Sequence, residues 1–327
     1  MRMMAALLVL ASHHAGMMKY PLTSPAAWIG MESFYVFVFI TLSGYLVTQS
    51  FISSDNFVDY LGKRVKRIFP ALIFCCFVTT YVLIPFFESS PLSYMMSEKT
   101  FKGFLNMSLM HGISIPGAEN IYGRHAWANG PLWSLVYEFA LYLIIGLFLG
   151  MSKNWKAPAV ALIVFMFILL TPPDVATKYN FYGMDMIALA KFGVGFSIGS
   201  LMFLTKDVWD KPSFKIPCAI FCFAIIFSII GNAGDINSVG RFCVAVLIII
   251  TGVSFNDVFI RGRVDISYGI YIWSWPVQNI VIHSFDLTFI PSLILTVIIT
   301  CAVASFSRIY IEEPFMKRKT RVKVAIA

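Results

Sequence analysis

The chain has 327 residues, 58% of them hydrophobic and only 13% charged, with a formal net charge of +8. A soluble domain of this size carries about one quarter charged residues, and the mean hydropathy here is +0.78. The composition excludes an ordinary soluble protein and indicates an all-α polytopic membrane protein.

Apolar runs able to cross a hydrocarbon core of ~30 Å fall near 3–18, 30–52, 68–88, 131–150, 157–172, 184–204, 216–232, 238–255, 266–285 and 290–309. About ten transmembrane helices are expected, with both ends on one side. The first run, MRMMAALLVLASHHAG, resembles a signal peptide. Its two histidines and the lack of a clear small-x-small cleavage site favour a retained helix.

Loop lysines and arginines set the orientation. One side holds Arg2, the KRVKR cluster at 63–67, Lys153, Lys156, Lys206, Lys211, Lys215, Arg261, Arg263, Arg308 and the tail KRKTRVK. The other holds Lys19, Lys99, Lys102, Arg124 and Lys178. That asymmetry places both termini in the cytoplasm of a multi-pass protein of the inner (cytoplasmic) membrane. Because the positive charge is spread over many loops as a topology signal, it gives no support to nucleic-acid binding. The longest loop, 89–130, is expected outside, rich in turn residues and with a short amphipathic helix. The six cysteines lie in apolar runs without metal spacing and read as reduced packing residues; no metal site is expected. Residues 1–327 read as a single membrane-embedded domain with no appended soluble domain.

Four places break the apolar pattern. His13 and His14 lie in the outer part of the first helix, and neighbouring residues point about 100° apart, so at most one can face a given site. Arg2, eleven residues before His13, shares its face. The structural reading is a pair of interfacial histidines. Glu138 is the only formally charged residue between Arg124 and Lys153. A carboxylate at bilayer depth costs roughly 2.5–3.5 kcal/mol, so it is either neutralised by an intramembrane base or orients a catalytic histidine. Arg64 and Arg67, spaced i, i+3 in KRVKR, either anchor the topology or make a guanidinium fork for phosphates. The segment DISYGIYIWSWPVQN carries Ser267, Ser274 and Gln278 around a kinking Pro276, with Trp273 and Trp275 expected against a cavity.

In chain order these stretches resemble the acyltransferase 3 family of membrane O-acyltransferases, bacterial enzymes that acetylate lipopolysaccharide O-antigen, peptidoglycan, exopolysaccharide and lipochitooligosaccharide. The carriers are Arg2 to His13, FVFITLSGYL at 37–46, Arg64 and Arg67 before Pro70, and Trp133 and Ser134 before Glu138. Ser267, Tyr268, Tyr271 and Pro276 follow, then Glu313-Pro314-Phe315. Many relatives have His where this chain has Ser274, which leaves His13 as the better histidine.

The resemblance implies a cytoplasmic acyl-CoA donor, with acetyl favoured, no bound cofactor, and a hydroxyl of an extracytoplasmic or lipid-linked glycan as acceptor. Coenzyme A phosphates cannot enter lipid and need a basic cradle, so Arg2, Arg64 and Arg67 become the donor-binding residues. His13 becomes general base or transient acyl acceptor, and Glu138 the residue that fixes its tautomer. Trp133, Ser134, Ser267, Tyr268, Tyr271 and Ser274 are expected to line the cavity. A flippase for a lipid-linked glycan would use the same polar residues but needs no coenzyme A cradle. A non-catalytic scaffold would tolerate neutral isosteres at His13 and Glu138.

Overall fold

The computed structural model describes residues 2–21, 31–119, 127–171, 180–230, 238–254 and 265–316. Arg124, Lys178, Arg261, Arg263 and the basic tail, which carry part of the charge asymmetry, lie outside the described residues.

Each of the ten apolar runs coincides with a helix. They are α1 (Arg2–Met17), α2 (Met31–Ile52) and α3 (Phe57–Val78), the last continued by a π-turn and a 3-10 turn to Phe87. Short helices α4 (Pro91–Met95) and α5 (Glu98–Ser108) come next in the chain. A 3-10 turn Gly130–Ser134 then opens α6 (Leu135–Met151), succeeded by α7 (Lys156–Leu170), α8 (Met186–Leu204) and the single turn α9 (Lys206–Trp209). Last are α10 (Pro212–Ile230), α11 (Ser238–Ser254), α12 (Ser267–Ser284) and α13 (Phe289–Phe306), extended by a π-turn into α14 (Glu313–Met316). The one sheet among the described residues is a hairpin of β1 (Asn180–Phe181) and β2 (Met184–Asp185).

Six helices among the described residues are long and apolar enough to cross a membrane: Ser33–Ile52, Phe57–Phe87, Gly130–Met151, Met186–Leu204, Pro212–Ile229 and Phe289–Met316. Large apolar side chains cover their outer faces, as on α10, where Ile216, Ile220, Phe221, Phe223 and Phe227 are exposed. Such a surface suits lipid rather than water.

The span Phe57–Phe87 begins earlier than its apolar run. Asn56 caps α3 by accepting from the Asp59 N–H at 2.9 Å, and Lys63 pairs with Asp59 at 2.8 Å. KRVKR therefore lies two to three turns inside the helix instead of before it, because Lys and Arg are good helix formers and only hydropathy marked a start at 68. In the loop after α3, the expected amphipathic helix is α5, capped by Ser97.

Helices α2 and α8 make the closest crossing. A Cβ placed on Gly44 would fall 2.2 Å from the Phe196 carbonyl oxygen, and one on Gly199 2.3 Å from that of Thr41. Small residues at such spacing let membrane helices touch backbone to backbone. Thr48 donates to Ser200 across the contact at 2.6 Å.

Candidate active site

Glu138 lies in the first turn of α6 and is 5% exposed. Its Oε1 accepts hydrogen bonds from the Ser43 hydroxyl on α2 at 2.6 Å and from the Tyr142 hydroxyl one turn on at 2.5 Å. The close α2–α8 packing fixes α2, and with it Ser43, beside Gly44. Tyr142 is anchored in turn, since its carbonyl accepts from the Tyr60 hydroxyl of α3 at 3.0 Å.

Three guanidinium groups converge on this acid. Arg2, Arg64 and Arg67 line one narrow pocket with Glu138, Tyr142, Ile68 and Tyr268. The pocket holds about 10 Å³ of space for a water's centre, roughly one water molecule. Arg67 Nη2 bonds Asp265 Oδ2 at 2.6 Å, and Arg2 Nη1 lies 3.8 Å from the same oxygen. Arg2 also stacks over the Phe39 ring, 4.7 Å from its centroid. Arg64 Nη2 donates to Ser50 Oγ at 2.9 Å. Burial pushes the Asp265 carboxyl up, but Arg2, Arg67 and the bonds from Ser267 outweigh it and hold it at about 2.

Arg64 and Arg67 also line a second, larger space of about 930 Å³, bordered by Lys63, Lys66, Gly62 and Phe315. One pair of arginines thus forms the wall between an open basic groove and the buried acid.

Helix α12 closes the other side. The Tyr268 hydroxyl donates to the Ile68 carbonyl at 2.9 Å. The Tyr271 hydroxyl bonds Ser134 Oγ at 2.9 Å and the Pro131 carbonyl oxygen. Pro276 cannot donate to the carbonyl one turn back; that Ile272 oxygen instead accepts from the Asn129 amide at 2.7 Å and the Cys75 thiol at 3.3 Å.

Of the side chains expected in the cavity, Tyr268 lines the pocket and Ser267 holds Asp265 Oδ1 at 2.6 Å. Ser134 and Tyr271 spend their hydroxyls on each other's helices, Ser274 bonds its own helix at the Tyr271 carbonyl, and Trp133 packs against Tyr137 and Phe192. Among the described residues no hydrogen bond joins Glu138 to His13: Oε1 of the acid accepts from Ser43 and Tyr142. His13 is eleven residues beyond Arg2, about 16 Å along α1 at 1.5 Å per residue. There it is 6% exposed and meets Trp275 edge to face, with ring centroids 5.5 Å apart. His14 is fully buried and bonds Ser292 Oγ at 3.1 Å. Among the described residues no group of three or more His, Cys, Asp or Glu could hold a metal ion.

Ser43, Tyr142 and Asp265 are site residues that sequence reasoning missed. Tyr142 carried a signal, standing four residues after Glu138 on one helix face, and Asp265 is the first residue of DISYGIYIWSWPVQN.

The profile of the acyltransferase domain in the acyltransferase 3 family matches residues 1–308. The chain belongs to the acyltransferase 3 family. An "O-acetyl transferase" of Shigella phage Sf6 is 29% identical to this acyltransferase over 324 residues, covering 98% of this chain and 95% of the phage protein. "Nodulation protein 10" of Rhizobium leguminosarum bv. viciae is 26% identical, covering 87% and 82%. "O-acetyltransferase OatA" of Staphylococcus aureus is 23% identical over 90% of this chain and 54% of its own length. No solved structure matches. With its apolar helices, this acyltransferase 3 chain is a membrane O-acyltransferase.

Proposed function

We propose that the protein transfers an acetyl group from cytoplasmic acyl-CoA to a hydroxyl of an extracytoplasmic or lipid-linked glycan, with all ten helices crossing the inner membrane and both termini in the cytoplasm. The observation that carries the donor assignment is the shared wall of Arg64 and Arg67. A groove of about 930 Å³ lined by Lys63, Arg64, Lys66 and Arg67 suits the polyanionic nucleotide end of coenzyme A, since guanidinium forks match phosphate oxygens. The narrow pocket behind it has space for about one water, so the Arg64 and Arg67 side chains must move aside for the slim thioester arm to pass inward.

Helix α1 joins the two ends of the proposed path, with Arg2 at the donor pocket and His13 about 16 Å away. In this reading the acceptor hydroxyl oxygen attacks the acetyl carbonyl carbon while His13 takes its proton. The carbon–sulfur bond breaks, and coenzyme A leaves as a thiolate that gains a proton. Glu138 acts at the inner end of the donor pocket, where it balances and places the three guanidinium groups. The family and the relatives' names support acetylation; the groove supports the phosphate-bearing donor.

The test is purified protein in lipid vesicles supplied with radiolabelled acetyl-CoA, together with mass spectrometry of cell-surface glycans with and without the chain. Donor consumption and an added acetyl mass on a glycan are expected. Binding and movement of a lipid-linked glycan with no acetyl-CoA consumed would overturn the proposal.

A further inference from the structure

The geometry points to Asp265 as a positioning residue for the donor: its carboxylate holds Arg67 and Arg2 in the orientation that receives the coenzyme A phosphates, an inference that rests on the acyl-CoA donor proposed for this site. Asp265 stands two residues before α12. Its Oδ1 is held by the Ser267 backbone N–H at 3.0 Å and the Ser267 hydroxyl at 2.6 Å. The carboxylate is therefore fixed, and Oδ2 faces Arg67 at 2.6 Å and Arg2 at 3.8 Å. These arginines come from different helices, α3 and α1, and both line the pocket with Glu138.

Three guanidinium groups around one small pocket repel one another, and a long side chain such as Arg67 has open groove to swing into. One charge-assisted bond to a fixed carboxylate sets the plane of the guanidinium. The group carries five N–H donors, so most remain available to phosphate. Among the described residues Arg64 has no such anchor and is held by a neutral hydroxyl. Asp265 does not cancel the attraction for anions: with Glu138 it offsets two of the three arginines, Asp59 pairs with Lys63, and Lys66 stands in the groove beside them. Because it touches the arginines and not the reacting atoms, Asp265 acts through them.

The experiment compares two donors on the full-length protein in vesicles: acetyl-CoA, and S-acetyl-N-acetylcysteamine, a thioester with no phosphate. Asp265→Asn keeps the shape and removes the charge. It is expected to raise KM for acetyl-CoA about tenfold, to keep kcat within about threefold, and to leave KM for the short thioester unchanged. Ser267→Ala, which leaves Oδ1 with the backbone N–H alone, should give a smaller rise with the same selectivity. Equal losses on both donors would make Asp265 a structural residue and overturn the assignment. So would an unchanged KM for acetyl-CoA, or, if Asp265→Asn fails to accumulate, a Ser267→Ala enzyme indistinguishable from wild type. Wild-type protein that turns over no acetyl-CoA would overturn the donor reading itself, and the inference with it.

Discussion

Replacing Gly199 by alanine tests whether the α2–α8 crossing sets the site's geometry. The new Cβ would lie 2.3 Å from the Thr41 carbonyl oxygen and 2.9 Å from the Tyr45 nitrogen. Both are backbone atoms and cannot rotate away. An ordinary contact begins at 3.4 Å, so the helices must part by about 1 Å, an overpacking that costs roughly 1–3 kcal/mol. The same movement carries the 2.6 Å Thr48–Ser200 bond past hydrogen-bonding range, a loss of about 0.6 kcal/mol for such bonds in membranes. Alanine's helix propensity returns up to about 1 kcal/mol, leaving a net destabilisation of roughly 1–3 kcal/mol. Gly150 on α6, with nothing within 4 Å of its built Cβ, provides the control. Thermal unfolding of the purified protein in detergent, followed by size-exclusion chromatography, should show Gly199→Ala lower than wild type and Gly150→Ala equal to or above it. Acetylation should fall further than stability alone dictates, because Ser43, beside Gly44, holds Glu138. Equal midpoints for the two variants would refute the close crossing and the route from packing to site.

Arg64→Ala and Arg67→Ala should each raise the apparent acetyl-CoA constant about tenfold or more, the scale of a hydrogen bond to a charged group, with lysine rescuing only in part for want of a planar fork; normal donor binding in the double variant would reduce both to topology anchors. His13→Ala should lower transfer by roughly 10²–10⁴ while donor still binds, and Glu138→Gln should raise the acetyl-CoA constant because it loosens the guanidinium groups. Because Glu138 Oε1 is bonded by Ser43 and Tyr142, activity left in His13→Ala should fall further in the double variant, and a double variant no worse than His13→Ala would restore a direct partnership. The Asp265 carboxyl is held below the ordinary value, at about 2 against 3.8, so its stabilising contribution is full above 3.8 and is lost as pH falls toward 2. Unfolding midpoints taken down to pH 3 should fall more steeply for wild type than for Asp265→Asn; parallel curves would contradict the Asp265 bonds.

The helices were legible because lipid leaves the chain little choice: every backbone group must bond within its own span, so apolar runs became helices nearly residue for residue. The start of α3 was not, since hydropathy stops at charge while the helix continues to the Asn56 cap. Glu138 was legible as a site residue from its isolation alone. Its partners were not, because a serine on α2 finds it only through the interhelix crossing, which no local pattern encodes. Distance along α1 was readable too, yet the resemblance joined His13 to Glu138, whose Oε1 is bonded instead by Ser43 and Tyr142.

The carbonyl that Pro276 strands at Ile272 has a consequence for chimeras. Its principal donor, Asn129, belongs to the segment leading into α6, far away in sequence. That segment and the kinked helix are therefore one unit of inheritance. A chimera that takes the loop before α6 from one parent and α12 from another must keep an amide at position 129. Otherwise it leaves a bare carbonyl in the buried interior with only a thiol to meet it, and the graft fails in a helix whose own sequence was never altered.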